Sequence, residues 1–291
     1  MIERSEFTPR ACTTQHNMTY SLYTISLDYI LTSCYITLLE IQEIMKGVIL
    51  AGGLGTRLYP LTHATNKHLL PVFDQPMVYY PIQTLVNAGI TEILIVTGGP
   101  HAGDFLSVIK NGADFGITHI EYAFQEKPDG GIADALGLAR DFAKGGAVTV
   151  ILGDNTTDTD ISEPVKSFKD GAFIFLKKVA DPERFGVPVF SRPKSDVKRK
   201  ILAIEEKPKE PKSDFAVTGL YIYDNNVFDI IETLKPSDRG QLEVTDINNE
   251  YLKRGKLDWA ELKGFWSDAG TPASLLKTNL YWAMRKGVNL E

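Results

Sequence analysis

Gly47-Val48-Ile49-Leu50-Ala51-Gly52-Gly53-Leu54-Gly55-Thr56-Arg57 is the stretch whose reading decides the fold. Gly47 to Ala51 is short, apolar and β-rich, so it reads as a buried strand. Gly52 to Arg57 follows at once as a turn. Three glycines there let the backbone approach a ligand and aim amide hydrogens at it, which makes an anion-binding nest. Arg57 adds a forked cation suited to phosphate oxygens. A glycine turn alone is also an ordinary strand–helix connection. It is not a Walker loop, since no Gly-Lys-Ser/Thr ending follows. Gly52, Gly53 and Gly55 have the wrong spacing for the dinucleotide fingerprint.

Outward from this stretch the pattern alternates. A helix is expected from about Tyr79 to Asn87, with Gly89 ending it. Strands are expected at Glu92–Thr97, Ile117–Phe124 and Ala147–Leu152, and helices at Phe105–Ile109 and Ile132–Phe142. Alternating strands and helices predict an α/β fold: a Rossmann-like, mostly parallel sheet with helices on both faces. Ligands of such sheets bind at the carboxyl ends of the strands. Gly52–Arg57 and Gly153-Asp154-Asn155 both follow strands, so both are expected to face one crevice. Farther on, Gly171–Val179, Gly186–Phe190, Lys200–Glu205 and Ala216–Tyr223 are strand-like. Val227–Leu234, Val244–Lys253 and Ser274–Arg285 are helical. This part reads as a mixed sheet continuing the first. The expectation is one domain over 45–291, with a first half at about 45–170 and a second half at about 171–291.

The first 44 residues do not share this pattern. The stretch from Tyr20 to Ile44 is fairly apolar, but Asp28 interrupts it and Ser, Thr and Tyr dilute it. A membrane span needs about 20 mainly apolar residues, and a secretory signal needs a basic start and a small-residue cleavage site. Neither reading fits. Residues 1–44 are therefore expected to be a disordered leader or a misassigned start, with translation from Met45. A genuine docking extension is the alternative.

The chain's 291 residues, 43% of them hydrophobic, suffice for a large core. A net charge of −6 argues against nucleic acid or a membrane surface as partner, since both are anionic. The two cysteines, Cys12 and Cys34, both precede Met45. That removes thiol catalysis, cysteine–zinc sites and disulfides from the main body and suits a cytoplasmic setting. The oligomeric state is left open, a homo-oligomer included.

Asn66-Lys67-His68-Leu69-Leu70-Pro71-Val72 supplies a second cation close enough to fold over the glycine turn. Alone, Lys67 reads as a solvated lysine; joined to the glycine turn and Arg57, it suits a triphosphate. Here the chain from Met45 to Glu291 resembles the glucose-1-phosphate thymidylyltransferases of the sugar nucleotidyltransferase family. The resemblance rests on Leu-Ala-Gly-Gly-Leu-Gly-Thr-Arg-Leu at 50–58, Asn-Lys-His-Leu-Leu-Pro-Val at 66–72 and Leu-Gly-Asp-Asn at 152–155. It continues through Asp-Pro-Glu-Arg-Phe-Gly-Val at 181–187, Glu-Glu-Lys-Pro at 205–208 and Ala-Val-Thr-Gly-Leu-Tyr at 216–221. Leu-Glu-Val-Thr-Asp-Ile-Asn at 242–248 and Trp-Ser-Asp-Ala-Gly-Thr at 266–271 complete it.

The resemblance implies a Mg²⁺-dependent reaction of dTTP with glucose 1-phosphate, giving dTDP-glucose and pyrophosphate. It implies Arg57 and Lys67 as catalytic cations, and Gly52, Gly53, Gly55, Thr56, Gln125 and Gly131 around the nucleotide. A glutamine amide, which donates and accepts at once, suits a pyrimidine imide. Asp154 and Asp268 would hold the metal, and hard carboxylate oxygens are what Mg²⁺ prefers. Alone, each aspartate is equally a capping or loop carboxylate. Glu206 would hold the hexose and Lys207 its phosphate, with Gly186, Val217 and Arg239 assisting, although Glu206-Lys207 alone reads as a solvated pair. The chain departs from the family at Thr156-Thr157, at Asp134 where glutamine is common, and at Gly130-Gly131, which carries one glycine more than some relatives. It also ends early relative to the family's longer type, whose allosteric inhibitor site it is not expected to carry. UTP-dependent transfer to another hexose 1-phosphate is the neighbouring alternative. A non-catalytic nucleotide-sugar sensor is the alternative of another class.

Overall fold

The computed structural model of the chain describes residues 45–192 and 199–289. The leader expected at 1–44, with Cys12 and Cys34, lies outside them. The described chain begins with strand β1 (Lys46–Ala51), a small hairpin of β2 (Pro71–Val72) and β3 (Gln75–Pro76), and helix α1 (Tyr79–Asn87). There follow β4 (Glu92–Gly98), α2 (Asp104–Ile109), β5 (His119–Gln125), α3 (Ile132–Gly137), α4 (Arg140–Ala143) and β6 (Val148–Leu152). Next come β7 (Asn155–Thr157), α5 (Ser162–Ser167), β8 (Ala172–Lys178), β9 (Gly186–Phe190), β10 (Ile201–Glu206) and β11 (Phe215–Tyr223). The last elements are α6 (Asn226–Thr233), α7 (Val244–Lys253), β12 (Leu257–Glu261), β13 (Trp266–Asp268) and α8 (Pro272–Arg285).

β6, β1, β4 and β5 lie side by side and parallel. After Lys46, β1 is apolar because the sheet is covered on both faces. Val48 and Leu50 pack with Leu136, Phe142 and Phe228 from α3, α4 and α6. Ile49 and Ala51 point the other way, onto Ile82, Leu85 and Phe105 from α1 and α2. Burying each large aliphatic side chain contributes about 1.5–3 kcal/mol. Beyond β6 the sheet becomes mixed. β11 runs antiparallel to β6, β8 and β9, β9 and β10 form an antiparallel pair, and β12 returns parallel to β8. The second part of the chain thus continues the first sheet.

The expected helix over Ile132–Phe142 is two helices. After Gly137 the backbone tightens, with Leu138 and Ala139 donating to the carbonyls three residues back at 3.3 and 2.9 Å. Glycine weakens a helix interior by about 1 kcal/mol, and the break falls beside it. The third strand starts at His119 rather than Ile117. The sequence reading had no counterpart for β2, β3, β7, β12, β13 and α5.

Register places the site. Leu50 lies beside Leu152, so Gly52 and Asp154 leave the sheet as neighbours. Gly98 lies beside Gln125, which brings Gln125 to the same edge. Leu220 lies opposite Ile151 in the antiparallel direction, so the start of β11 also reaches this edge. β1, flanked by β4 and β6, marks the point where the strand order reverses, the usual position of a ligand crevice.

Candidate active site

The turn after β1 is held by specific contacts. Gly53 and Gly55 have φ of 88° and 64°, a left-handed region that favours glycine. A Cβ on Gly55 would stand 3.1 Å from Lys67 Cβ, and Thr62 Oγ1 donates to the Gly55 carbonyl at 2.9 Å. Leu58, buried, anchors the single 3₁₀ turn Thr56–Leu58 that carries Arg57. The Asn66 side chain accepts from His68 N at 3.0 Å and lies 2.7 Å from His68 Nδ1, starting the turn that carries Lys67. His68 is buried; that burial first, and then the Lys67 charge, push its pKa down to about 3. At neutral pH it is an uncharged wedge beneath Gly153, whose Cβ would stand 2.8 Å from its ring.

Asp154 and Asp268 are joined by a two-stranded ribbon. β7 and β13 pair antiparallel, with Asn155 opposite Asp268. The Asn155 side chain donates to Asp154 Oδ1 at 3.0 Å and accepts from Gly219 N at 2.9 Å and Trp266 Nε1 at 2.7 Å. Ala269 N donates to the Asp154 carbonyl at 2.8 Å. Three groups converge on Gly270. A Cβ there would stand 3.2 Å from an Arg57 Nη2, 3.4 Å from Asp154 Oδ2 and 3.6 Å from Asp268 Oδ2. Lys67 Nζ meets Asp154 Oδ2 at 2.6 Å. Arg184 bridges Asp268 Oδ2 at 2.9 Å and Asp181 Oδ2 at 2.7 Å.

The two carboxylates divide the electrostatic load. Burial raises the Asp154 pKa, but the adjoining Lys67 ammonium outweighs it and holds the group far below the usual carboxylate range. Burial, followed by the Asp154 charge, pushes Asp268 up to about 6 against the pull of Arg184 and Arg57. Among the described residues no third His, Cys, Asp or Glu joins them to complete an all-protein metal cage. Two hard, convergent oxygens fit Mg²⁺, which keeps several waters and takes its remaining ligands from substrate phosphates.

The second part of the chain supplies the rest of the wall. Val217 pairs with Gly186. A Cβ on Gly186 would stand 3.1 Å from Thr245 Oγ1 and 3.6 Å from Glu206 Oε2, so only glycine leaves the 2.6 Å Thr245–Glu206 hydrogen bond undisturbed. Arg239 donates to both oxygens of Glu243 at 2.8 Å and to Glu206 at 3.1 Å. Lys207 lies 3.5 Å from Glu206. Its φ of 44° is unusual for a side-chain-bearing residue, and its amide donates to the Phe185 carbonyl at 2.9 Å.

One cleft, with a cavity volume of about 330 Å³, is lined by Gly52, Gly53, Arg57, Lys67, Gln125, Gly131, Asp154 and Asp268. Gly186, Glu206, Lys207, Val217 and Arg239 line it too. Gly55 and Thr56 do not; they shape the turn behind it. The sequence reading gave no role to His68, Asn155, Arg184, Glu243 or Thr245, which also line the cleft. Each lies inside one of the motifs quoted above, so the signal was present without an assignment. A cleft with cations and paired carboxylates at one end and a carboxylate–lysine–arginine group opposite can hold two phosphorylated molecules and screen the charge between them.

A family model described as Nucleotidyl transferase matches residues 46–284. A glucose-1-phosphate thymidylyltransferase of Neisseria gonorrhoeae is 46% identical over 237 residues, 79% of this chain and 80% of the relative. One of Mycolicibacterium smegmatis is 44% identical over 237 residues, 80% of each chain. A solved Bacillus anthracis structure, provisionally described as a glucose-1-phosphate thymidylyltransferase in complex with a sucrose, superposes with a TM-score of 0.75 at 51% identity. It covers 85% of this chain and 97% of its own. A UDP-glucose pyrophosphorylase complexed with UDP-glucose shares the fold at a TM-score of 0.71 and 22% identity, covering 83% and 99%.

Proposed function

The chain belongs to the nucleotidyl transferase family, and on that premise we propose that it joins dTTP to glucose 1-phosphate, giving dTDP-glucose and pyrophosphate. One observation carries the reading: Arg57, Lys67, Asp154 and Asp268 meet at the carboxyl ends of β1 and β6, in the same cleft as Glu206, Lys207 and Arg239. The curated relatives' names supply the base and the sugar.

In the proposed reaction an oxygen of the sugar phosphate forms a bond to the α-phosphorus of dTTP. The bond from that phosphorus to the bridging β-oxygen breaks, and pyrophosphate leaves with the electron pair. A phosphate monoester is already largely ionised at neutral pH, so no side chain has to remove a proton. Catalysis then reduces to positioning and charge compensation. Asp154 and Asp268 would hold Mg²⁺, whose charge offsets that of the phosphates when it is bound. Lys67 and Arg57 would offset charge on the departing pyrophosphate, while Lys207 and Arg239 would hold the sugar phosphate and Glu206 the hexose hydroxyls. Among the described residues no helix is long and apolar enough to cross a membrane. The substrates are multiply charged and do not cross membranes unaided, so we place the activity in the cytoplasm.

The test is pyrophosphate release with glucose 1-phosphate and each of dTTP, UTP, CTP and GTP, with and without Mg²⁺. Highest kcat/KM with dTTP, dependent on Mg²⁺, is expected. Preference for UTP would overturn the assignment of the base. Tight nucleotide binding with no release from any of the four would turn the reading into a sensor.

A further inference from the structure

Gln125 closes β5 and lines the cleft, with only 4% of its surface exposed. Its Nε2 lies 2.8 Å from Asp134 Oδ2 and 3.3 Å from the Gly131 carbonyl. A carboxylate and a carbonyl can only accept, so the amide nitrogen has to face them. The carbonyl oxygen, Oε1, then has to face the other way. It lies over the turn after β1, 2.4 Å from where a Cβ on Gly52 would stand. No donor among the described residues hydrogen-bonds that oxygen.

Asp134 is itself held. A Cβ on Gly130 would stand 2.4 Å from Asp134 Oδ2, so the carboxylate occupies space that only a glycine leaves. Gly131 has φ of 97°, and a Cβ there would stand 2.4 Å from the Leu242 carbonyl. Leu242 N donates to the Gly130 carbonyl at 2.9 Å, and Ala133 N to the Leu242 carbonyl at 3.2 Å. Gly131 and the start of α3, which carry Gln125's two acceptors, are therefore pinned to the segment before α7.

We propose that Asp134 is a positioning residue that locks the Gln125 amide with its acceptor toward the nucleobase, so that the cleft selects bases bearing an imide N–H. Thymine and uracil present N3–H, a donor that meets Oε1. Cytosine presents N3 as an acceptor, which sets lone pair against lone pair and leaves Oε1 unsatisfied in a buried place. A free glutamine would turn its amide over and serve either base; one facing a carboxylate does not. The lock makes no distinction between thymine and uracil, whose imides are alike. The inference rests on the proposed activity only in taking a pyrimidine nucleotide as the occupant.

The experiment measures equilibrium binding of dTTP and dCTP to the full chain, to Asp134→Asn and to Gly130→Ala. Asparagine keeps the shape of Asp134 but can present its own amide nitrogen to Gln125, releasing the flip. The added methyl at position 130 displaces the carboxylate by a different route. In both variants the ratio of the dCTP to the dTTP dissociation constant is expected to fall by about tenfold or more, the scale of one buried hydrogen bond. Thermal melting checks that each variant is folded. A folded variant with the parent ratio, or with both nucleotides weakened equally, would overturn the lock, as would tighter dCTP than dTTP binding by the parent. Pyrophosphate release is followed separately. Its absence from the parent would remove the proposed activity while the binding ratio still decides the lock.

Discussion

Lys67→Met retains most of the lysine's aliphatic bulk and removes the charge that Asp154 faces at 2.6 Å. The two side chains are only 15% and 9% exposed, so solvent screens the pair weakly. Opposite unit charges at that distance attract by about 6 kcal/mol at an effective dielectric constant of about 20. Desolvation offsets part of this, and removing one partner of a buried pair costs about 3–5 kcal/mol. At about 2–4 °C per kcal/mol for a domain of this size, the melting temperature is expected to drop by about 6–20 °C without divalent metal near neutral pH. The sign of the pH dependence follows from Asp154. With Lys67 present its folded pKa is depressed, so the pair's contribution exists above the unfolded carboxylate range and is lost as pH falls through the folded value. Without Lys67, burial governs and the carboxyl moves up. The variant's deficit then stands at neutral pH and shrinks as pH falls through the raised value. Mg²⁺ supplies a replacement charge and is expected to raise the variant's melting temperature more than the parent's. Urea unfolding followed by circular dichroism at neutral and mildly acidic pH, with and without Mg²⁺, reads all three effects. A deficit of less than about 1 kcal/mol at neutral pH, or one that persists unchanged in acid, would refute the account of Asp154 as a buried charge held by Lys67.

Asp268→Asn separates stability from activity. The Asp268 pKa, raised to about 6, means its contribution is full below the unfolded carboxylate range and lost as pH rises through that value. The metal-free variant is therefore expected to exceed the parent by about 1–3 kcal/mol above that pH and to match it in acid, in paired denaturation curves. Its turnover is expected to fall by a factor of about 10² or more, and near-parent Mg²⁺-dependent turnover would remove the metal role. Lys207→Ala is expected to raise the KM for glucose 1-phosphate with little change in dTTP affinity, whereas Arg57→Ala should lower kcat by about 10²–10³. Titrating each substrate against each variant distinguishes them, and loss of dTTP affinity in Lys207→Ala would reverse the assignment of the two walls. A chain starting at Met45 retains the whole matched span of 46–284 and is expected to fold and turn over substrate, as solubility and pyrophosphate release would report.

The strand-and-turn opening was legible because its physics is local. An apolar run too short for a helix and followed by glycines has few alternatives, and burial on both faces explains why β1 shows no polar alternation. The candidate site residues could be named from motifs, but their contacts could not. The ribbon of β7 and β13 has three residues in each strand, too few for a period to register. The helix break after Gly137 was masked by apolar spacing that continues through Phe142. Arg184 reads as one more charged loop residue until its guanidinium is seen spanning Asp181 and Asp268. Gly130 and Asp134 stood out as separate oddities of the sequence. Only the structure shows them to be one feature, a carboxylate lying over a glycine that makes room for it.

The ribbon also orders events in time. Its two strands are tied by a bond between Trp266 and Asn155, residues 111 apart in the chain. A polypeptide is made from its amino end, and domains begin to fold as they emerge. β1, β4, β5 and β6 can therefore pair, and the glycine turn can form, while Trp266 is still unmade. During that interval Asp154 has its lysine but no second carboxylate. On the proposed function, a chain broken off before β13 lacks half of the proposed metal site. That proposed site is complete only when the closing stretch of the polypeptide docks.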